Sequence, residues 1–99
     1  MVAMVEIYTG ALCGYCVAAK RLLRSKGVVF EEIKVSFRPR RRAEMIKRAS
    51  GRHTVPQVFI DGEHVGGCDE LHDLDRTGGL DRRLGFEQRP SLGFRSGGT

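Results

Sequence analysis

The chain has 99 residues, enough for one domain and too few for a second packed core. Its 40% hydrophobic and 29% charged residues exclude a disordered chain, and no apolar run reaches the roughly 18–20 residues that span a bilayer. The net charge of +5 is local: between residues 38 and 48, six cations (Arg38, Arg40, Arg41, Arg42, Lys47 and Arg48) face only Glu44, which leaves the rest of the chain neutral.

Met4 to Thr9 reads as a strand, and Cys13-Gly14-Tyr15-Cys16 follows after a short loop. From Cys16 to Lys26 the period turns helical through Ala19, Leu22 and Leu23, and Gly27 stops it. Val28 to Val35 reads as a second strand, although Glu31 and Glu32 break its alternation. Pro39 suits the first turn of a helix whose apolar side is Ala43, Met45, Ile46 and Ala49, ended by Gly51. Val58 to Ile60 and Glu63 to Val65 read as two strands joined at an Asp61-Gly62 turn. Gly66-Gly67 opens a helix through Leu71 and Leu74 that stops at Gly78-Gly79, and Leu80 and Leu84 mark a last helical turn. This order predicts an α/β domain over residues 1–84: a four-stranded mixed sheet with helices on both faces. Residues 85–99 have no period and read as a flexible tail, which Phe86, Leu92 and Phe94 could pin to a surface. The start of the chain has no basic segment followed by a long apolar core, so no secretory signal is expected, and a reducing, cytoplasmic setting is the default.

Cys13 and Cys16 are the most informative residues. A cysteine just before a helix meets unpaired backbone N–H groups and the positive end of the dipole, and both favour its thiolate. Cys16 lies one turn later on the same side, placed to attack a mixed disulfide on Cys13. The pair therefore reads as a nucleophile and a resolving thiol. The alternative is half of a zinc site completed by Cys68 and one of His53, His64 or His72, but a second Cys-x-x-Cys or a His pair is missing. The three histidines read as surface or turn residues without a role. The basic segment reads as a solvated helix face or as a docking surface for acidic protein segments and anionic thiols. No aromatic residues interleave with its arginines, so nucleic acid is not an expected partner, and neither is a membrane.

Tyr8-Thr9, Cys13-Gly14-Tyr15-Cys16, Thr54-Val55-Pro56 and Gly66-Gly67-Cys68-Asp69 together resemble a dithiol glutaredoxin of the CGYC type. The resemblance runs from about Val5 to Leu84, with the motifs in family order and spacing. It implies the thioredoxin fold, with glutathione as the reducing partner. It also implies roles: Cys13 as nucleophile and Cys16 as resolving thiol, Tyr15 lining the glutathione groove, and Pro56 as a cis proline facing the cysteines. Val55 would pair with the glutathione backbone like an added strand, with Thr54 in the same loop. Gly67, Cys68 and Asp69 would hold the glutamyl end, and Arg52 the glycyl carboxylate.

Three positions depart from the family pattern. Gly10 stands where the family often has a lysine that stabilises the thiolate and binds a glutathione carboxylate, a role for which a residue of the basic segment or Arg52 could compensate. Ser36 ends the second strand where Asp is frequent. Gly14 replaces the commoner proline, a feature shared with members that hold a [2Fe–2S] cluster between two subunits through the nucleophilic cysteines and two glutathiones. The implied function is glutathione-dependent reduction of protein disulfides and glutathionylated cysteines, a part of cell redox homeostasis. The alternative is an iron–sulfur carrier or sensor in which Cys13 is the metal ligand, with a monomeric apo form and a cluster-bridged dimer.

Overall fold

The computed structural model describes residues 3–85. The chain runs β1 (Val5–Thr9), α1 (Gly14–Ser25), β2 (Phe30–Lys34), α2 (Pro39–Arg48), β3 (Gln57–Ile60), β4 (Glu63–Gly66), α3 (Cys68–Arg76) and α4 (Gly79–Arg83). The four strands form one sheet in the order β2-β1-β3-β4. β1 and β2 are parallel, with Thr9 beside Lys34, and the pairs β1–β3 and β3–β4 are antiparallel. This mixed sheet is the one the thioredoxin-fold resemblance implies. The reading of residues 86–99 as a tail lies outside the described residues.

Alternation along β1 divides the core. Val5 and Ile7 join Ala19 and Leu23 of α1, Val58 and Ile60 of β3, Leu71 of α3 and Leu80 of α4 on one face. Tyr8 points the other way, into a smaller cluster with Ile33, Val35, Met45, Ala49 and Phe59 under α2. Helices therefore cover both faces of the sheet.

Two expectations change in detail. α1 begins at Gly14, two residues before the first residue of the helical period, because the Cys13 sulfur caps it by accepting from the Cys16 amide at 3.2 Å. The broken alternation of β2 also has a cause. Glu32 leaves the hydrophobic pattern because its carboxylate accepts from the Thr9 hydroxyl at 2.7 Å and from Lys20 at 2.9 Å.

The basic segment does not form one free face. Arg48 turns inward, donating to Glu6 at 2.9 Å and to the Tyr8 hydroxyl at 2.8 Å, and stacks over Phe59. Arg41 pairs with Glu44, and Arg42 donates to the His53 carbonyl at 2.9 Å. Arg38 caps the start of α2 and lies beside the Cys13 loop. The histidines also depart from the surface reading: His64 is half-buried and stacked on Phe59, and the half-buried His72 ring lies 2.9 Å from the Cys68 carbonyl, while His53 is exposed.

Candidate functional site

The parallel pairing of β1 and β2 brings the loops after both strands to one end of the sheet, where α/β sheets generally bind ligands. The first loop, Gly10 to Cys13, is tied to the second by a hydrogen bond from the Ala11 amide to the Ser36 hydroxyl at 2.8 Å. Cys13 is half-buried at the tip, and Cys16 is buried within the first turn of α1. All three cysteines are free thiols.

The two neighbouring thiols are electrostatically unequal. Burial, and then the hydrogen bond with Cys13, push the Cys16 thiol up to about 12, against a smaller opposing pull from the Gly10 backbone. At neutral pH Cys16 therefore keeps its proton, and Cys13 is the less buried of the two thiols. The Cys68 thiol is also raised, chiefly by burial and then by the Asp69 carboxylate. Its sulfur lies 3.4 Å from the His72 ring, where it packs as a small buried residue. Among the described residues, no three His, Cys, Asp or Glu side chains gather where a metal ion could be held.

The Thr54-Val55-Pro56 loop closes over Cys13. The Val55–Pro56 peptide is cis, and the Val55 carbonyl lies 3.8 Å from the Cys13 sulfur. The Gln57 side chain, fully buried, braces the loop from below by donating to the Thr54 carbonyl at 3.0 Å. On this side of Cys13 lies a cleft of about 340 Å³ lined by Tyr15, Arg52, Thr54, Val55, Pro56, Gly67, Cys68 and Asp69. All eight of the expected groove residues, from three separate parts of the chain, thus converge on one concave surface. Tyr15 is exposed at its rim, so its ring is not consumed in capping α1.

One wall residue was missed. Glu70 accepts from the Gly67 amide at 2.7 Å and from Arg52 at 3.2 Å through the same carboxylate oxygen. The contacts hold its carboxyl below the usual range, the Gly67 amide contributing most. The sequence signal was a Gly-x-x-Glu at the start of α3, the acidic half of a capping box. Gly66 makes room for it: its backbone is left-handed at φ 126°, and a Cβ there would meet Glu70 atoms at 2.8 Å. Arg52 is therefore not a free cation but one oriented by Glu70 at the edge of the cleft.

A second cleft, of about 460 Å³, is lined by Cys13 and Cys16 themselves. Gly10, Leu12 and Val17 also line it, with Lys20, Glu32, Lys34, Ser36 and Arg38. At Gly10 the space is tight, since a Cβ would sit 3.1 Å from Val55 and 3.3 Å from Ser36.

Residues 5–65 match the family model described as Glutaredoxin. Over 82 residues the chain is 59% identical to Glutaredoxin 3 of Escherichia coli (strain K12), covering 83% of this chain and 98% of that protein. The solution structure of a glutaredoxin from Brucella melitensis is similar at TM-score 0.75 and 50% identity, covering 86% of this chain and 91% of that one. A crystal structure of a buckwheat glutaredoxin–glutathione complex is similar at TM-score 0.73 and 30% identity, covering 83% and 76%.

Proposed function

The chain belongs to the glutaredoxin family and is a thiol–disulfide oxidoreductase; from that premise we propose that glutathione is its reductant and that it acts on protein disulfides and on glutathionylated cysteines. One observation carries the proposal. The Cys13 thiol, less buried than that of Cys16 and 3.8 Å from the Val55 carbonyl, lies beside a cleft lined by Tyr15, Arg52, Thr54, Val55, Pro56, Gly67, Cys68 and Asp69. The similarity to a glutaredoxin whose structure is a glutathione complex supports the same reading.

Glutathione is an extended tripeptide with a carboxylate at each end and an amine at one. Its backbone pairs with Val55 as an added strand, and its glutamyl carboxylate meets the amides that open α3. Asp69 takes the amine, and Arg52, held by Glu70, takes the glycyl carboxylate. For a glutathionylated protein, the Cys13 thiolate attacks the glutathione sulfur. A Cys13–glutathione disulfide forms, the old S–S bond breaks, and the protein leaves as a thiolate that takes up a proton. A second glutathione thiolate then attacks the bound one, releasing oxidised glutathione and regenerating Cys13. For a protein disulfide, Cys13 forms the mixed disulfide. Cys16 gives up its proton and displaces the reduced protein, and two glutathiones restore the dithiol. Glutaredoxin potentials of roughly −200 to −230 mV suit this exchange with a reducing, cytoplasm-like glutathione pool.

Cys13→Ser is expected to abolish turnover of both substrates. Cys16→Ser should retain turnover of a glutathione mixed disulfide and lose reduction of protein disulfides. A fully active Cys13→Ser protein refutes the proposal.

Gly14 supports a second reading of the same thiol. A Cβ at Gly14 would meet nothing within 4 Å, so the start of α1 is open to a second chain. Four sulfurs hold a [2Fe–2S] cluster. Cys13 is the least buried of the three cysteines, the other two being buried, so a cluster fits only as a bridge between two chains and two glutathiones. A brown dimer after anaerobic incubation with iron, sulfide and glutathione supports this reading; a colourless monomer refutes it.

A further inference from the structure

A glutathione mixed disulfide has two halves; Cys13 lines one cleft, and its sulfur lies 3.8 Å from the carbonyl of Val55, which lines another. The Val55 cleft matches the tripeptide. The Cys13 cleft carries three cations, Lys20, Lys34 and Arg38, against one carboxylate, Glu32. Glu32 is already committed to Lys20 and Thr9, while Lys34 and Arg38 have no carboxylate within ion-pair distance among the described residues. The cations continue into the start of α2, where Arg38, Arg40, Arg41 and Arg42 sit with no acidic residue in the first turn. Positive charge at a helix start opposes the macrodipole, so the α2 dipole does not account for this placement.

The same wall is apolar at its rim. Leu12 is fully exposed on a left-handed backbone at φ 53°, and Val17 is half-exposed beside it. Between the lining residues Ser36 and Arg38, Phe37 stands outside the cleft wall, 98% exposed on a left-handed backbone at φ 61°. Bulky residues seldom adopt this conformation, and where they do the strain collects at functional surfaces. Cations beside exposed apolar side chains suit a peptide with both acidic and apolar side chains. Glutathione has no apolar side chain to meet Leu12 or Phe37.

We propose that the cleft lined by Leu12, Val17, Lys34 and Arg38, together with the exposed Phe37 adjoining Arg38, docks the protein half of the substrate, selecting target cysteines flanked by acidic and apolar residues. The inference rests on the oxidoreductase reading above and names its protein-substrate class. In the exchange, glutathione stays in its own cleft bonded to Cys13, and the protein thiolate departs through the second.

The test uses two short peptides, each glutathionylated on its single cysteine, one flanked by Asp and Leu and the other by Lys and Ser. The glutathione mixed disulfide of β-mercaptoethanol serves as the small substrate. The unaltered protein is expected to favour the acidic peptide in kcat/KM by about tenfold at low ionic strength, a preference that shrinks with added salt. Lys34→Glu should sharply reduce the preference, and Phe37→Ser should lower kcat/KM for the acidic peptide several-fold. Both variants should leave turnover of the small substrate unchanged. Equal turnover of the two peptides by the unaltered protein overturns the proposal. So does a parallel fall in small-substrate turnover in the charge variant, which assigns the cations to the thiolate. A raised KM for glutathione in that variant, with the peptide KM unchanged, overturns it too and assigns the cleft to the reductant. Failure to turn over the small substrate at all would instead sink the oxidoreductase reading.

Discussion

Differential alkylation of the cysteines tests the asymmetry on which the chemistry depends. With its thiol at about 12, Cys16 at pH 8 is about one ten-thousandth thiolate, whereas a free cysteine with a pKa near 8.5 is about one quarter thiolate. The population ratio is therefore about 2,000. A thiolate of higher pKa is a better nucleophile, however, and a Brønsted slope of about 0.4–0.5 over that difference returns a factor of roughly 40. Ionisation alone thus makes Cys16 about 50-fold slower than a free thiol, and its burial slows it further. The assay is iodoacetamide labelling of the reduced protein with N-acetylcysteine in the same tube, followed by mass and peptide mapping. A single adduct at Cys13 is expected while Cys16 stays unlabelled, its rate rising about tenfold per pH unit between pH 7 and 10. Cys68, also raised by burial, should lag as well. Labelling of Cys16 within a few-fold of the N-acetylcysteine rate would refute the reasoning, because burial would then not be holding the proton on that sulfur.

Gly66→Ala combines a left-handed backbone penalty with a clash against Glu70, and is expected to cost roughly 2–4 kcal/mol, about 10–25 °C in Tm. The same change made in a Glu70→Ala background should cost less; an equal cost would show that the clash contributes nothing. The carboxyls of Glu32 and Glu70 lie below their ordinary value of 4.5, led by the Thr9 hydroxyl at Glu32 and the Gly67 amide at Glu70. Because the folded values are the lower ones, the stability they confer is complete above about pH 4.5 and is lost as pH falls through the folded values. Urea midpoints measured at pH 7 and pH 3 should converge partway in Glu32→Gln, and an unaltered acid limb in that variant would count against the Thr9–Glu32–Lys20 network.

The redox pair was legible because it is local. A three-residue spacing at a strand–helix junction places one sulfur at the helix cap and the other a turn inside, whatever else the chain does. The Asp61-Gly62 turn and the Pro39 helix start were readable for the same reason, each being set by backbone preferences of a few adjacent residues. Glu70 left a faint local trace, the Gly-x-x-Glu start of α3, but its second partner, Arg52, is 18 residues away. The grouping of residues into the proposed glutathione groove came only through the resemblance. Thr54, Gly67 and Tyr15 lie on separate elements, and no periodicity connects them.

The basic segment marks the limit most clearly. Its composition announced a surplus of positive charge and nothing about where that charge would point. Arg48 is drawn under the sheet because β1 presents Glu6 and Tyr8 on the α2 face, contacts 40 or more residues distant in sequence. Lys34 and Arg38 end beside Cys13 because β2 pairs parallel to β1 with Thr9 against Lys34, so that both strands finish at the same edge. Local chemistry, written in neighbouring residues, could be read directly from the chain. The faces of the site, and which cations serve them, depend on strand register, a property of pairings between distant segments that no short stretch of residues encodes.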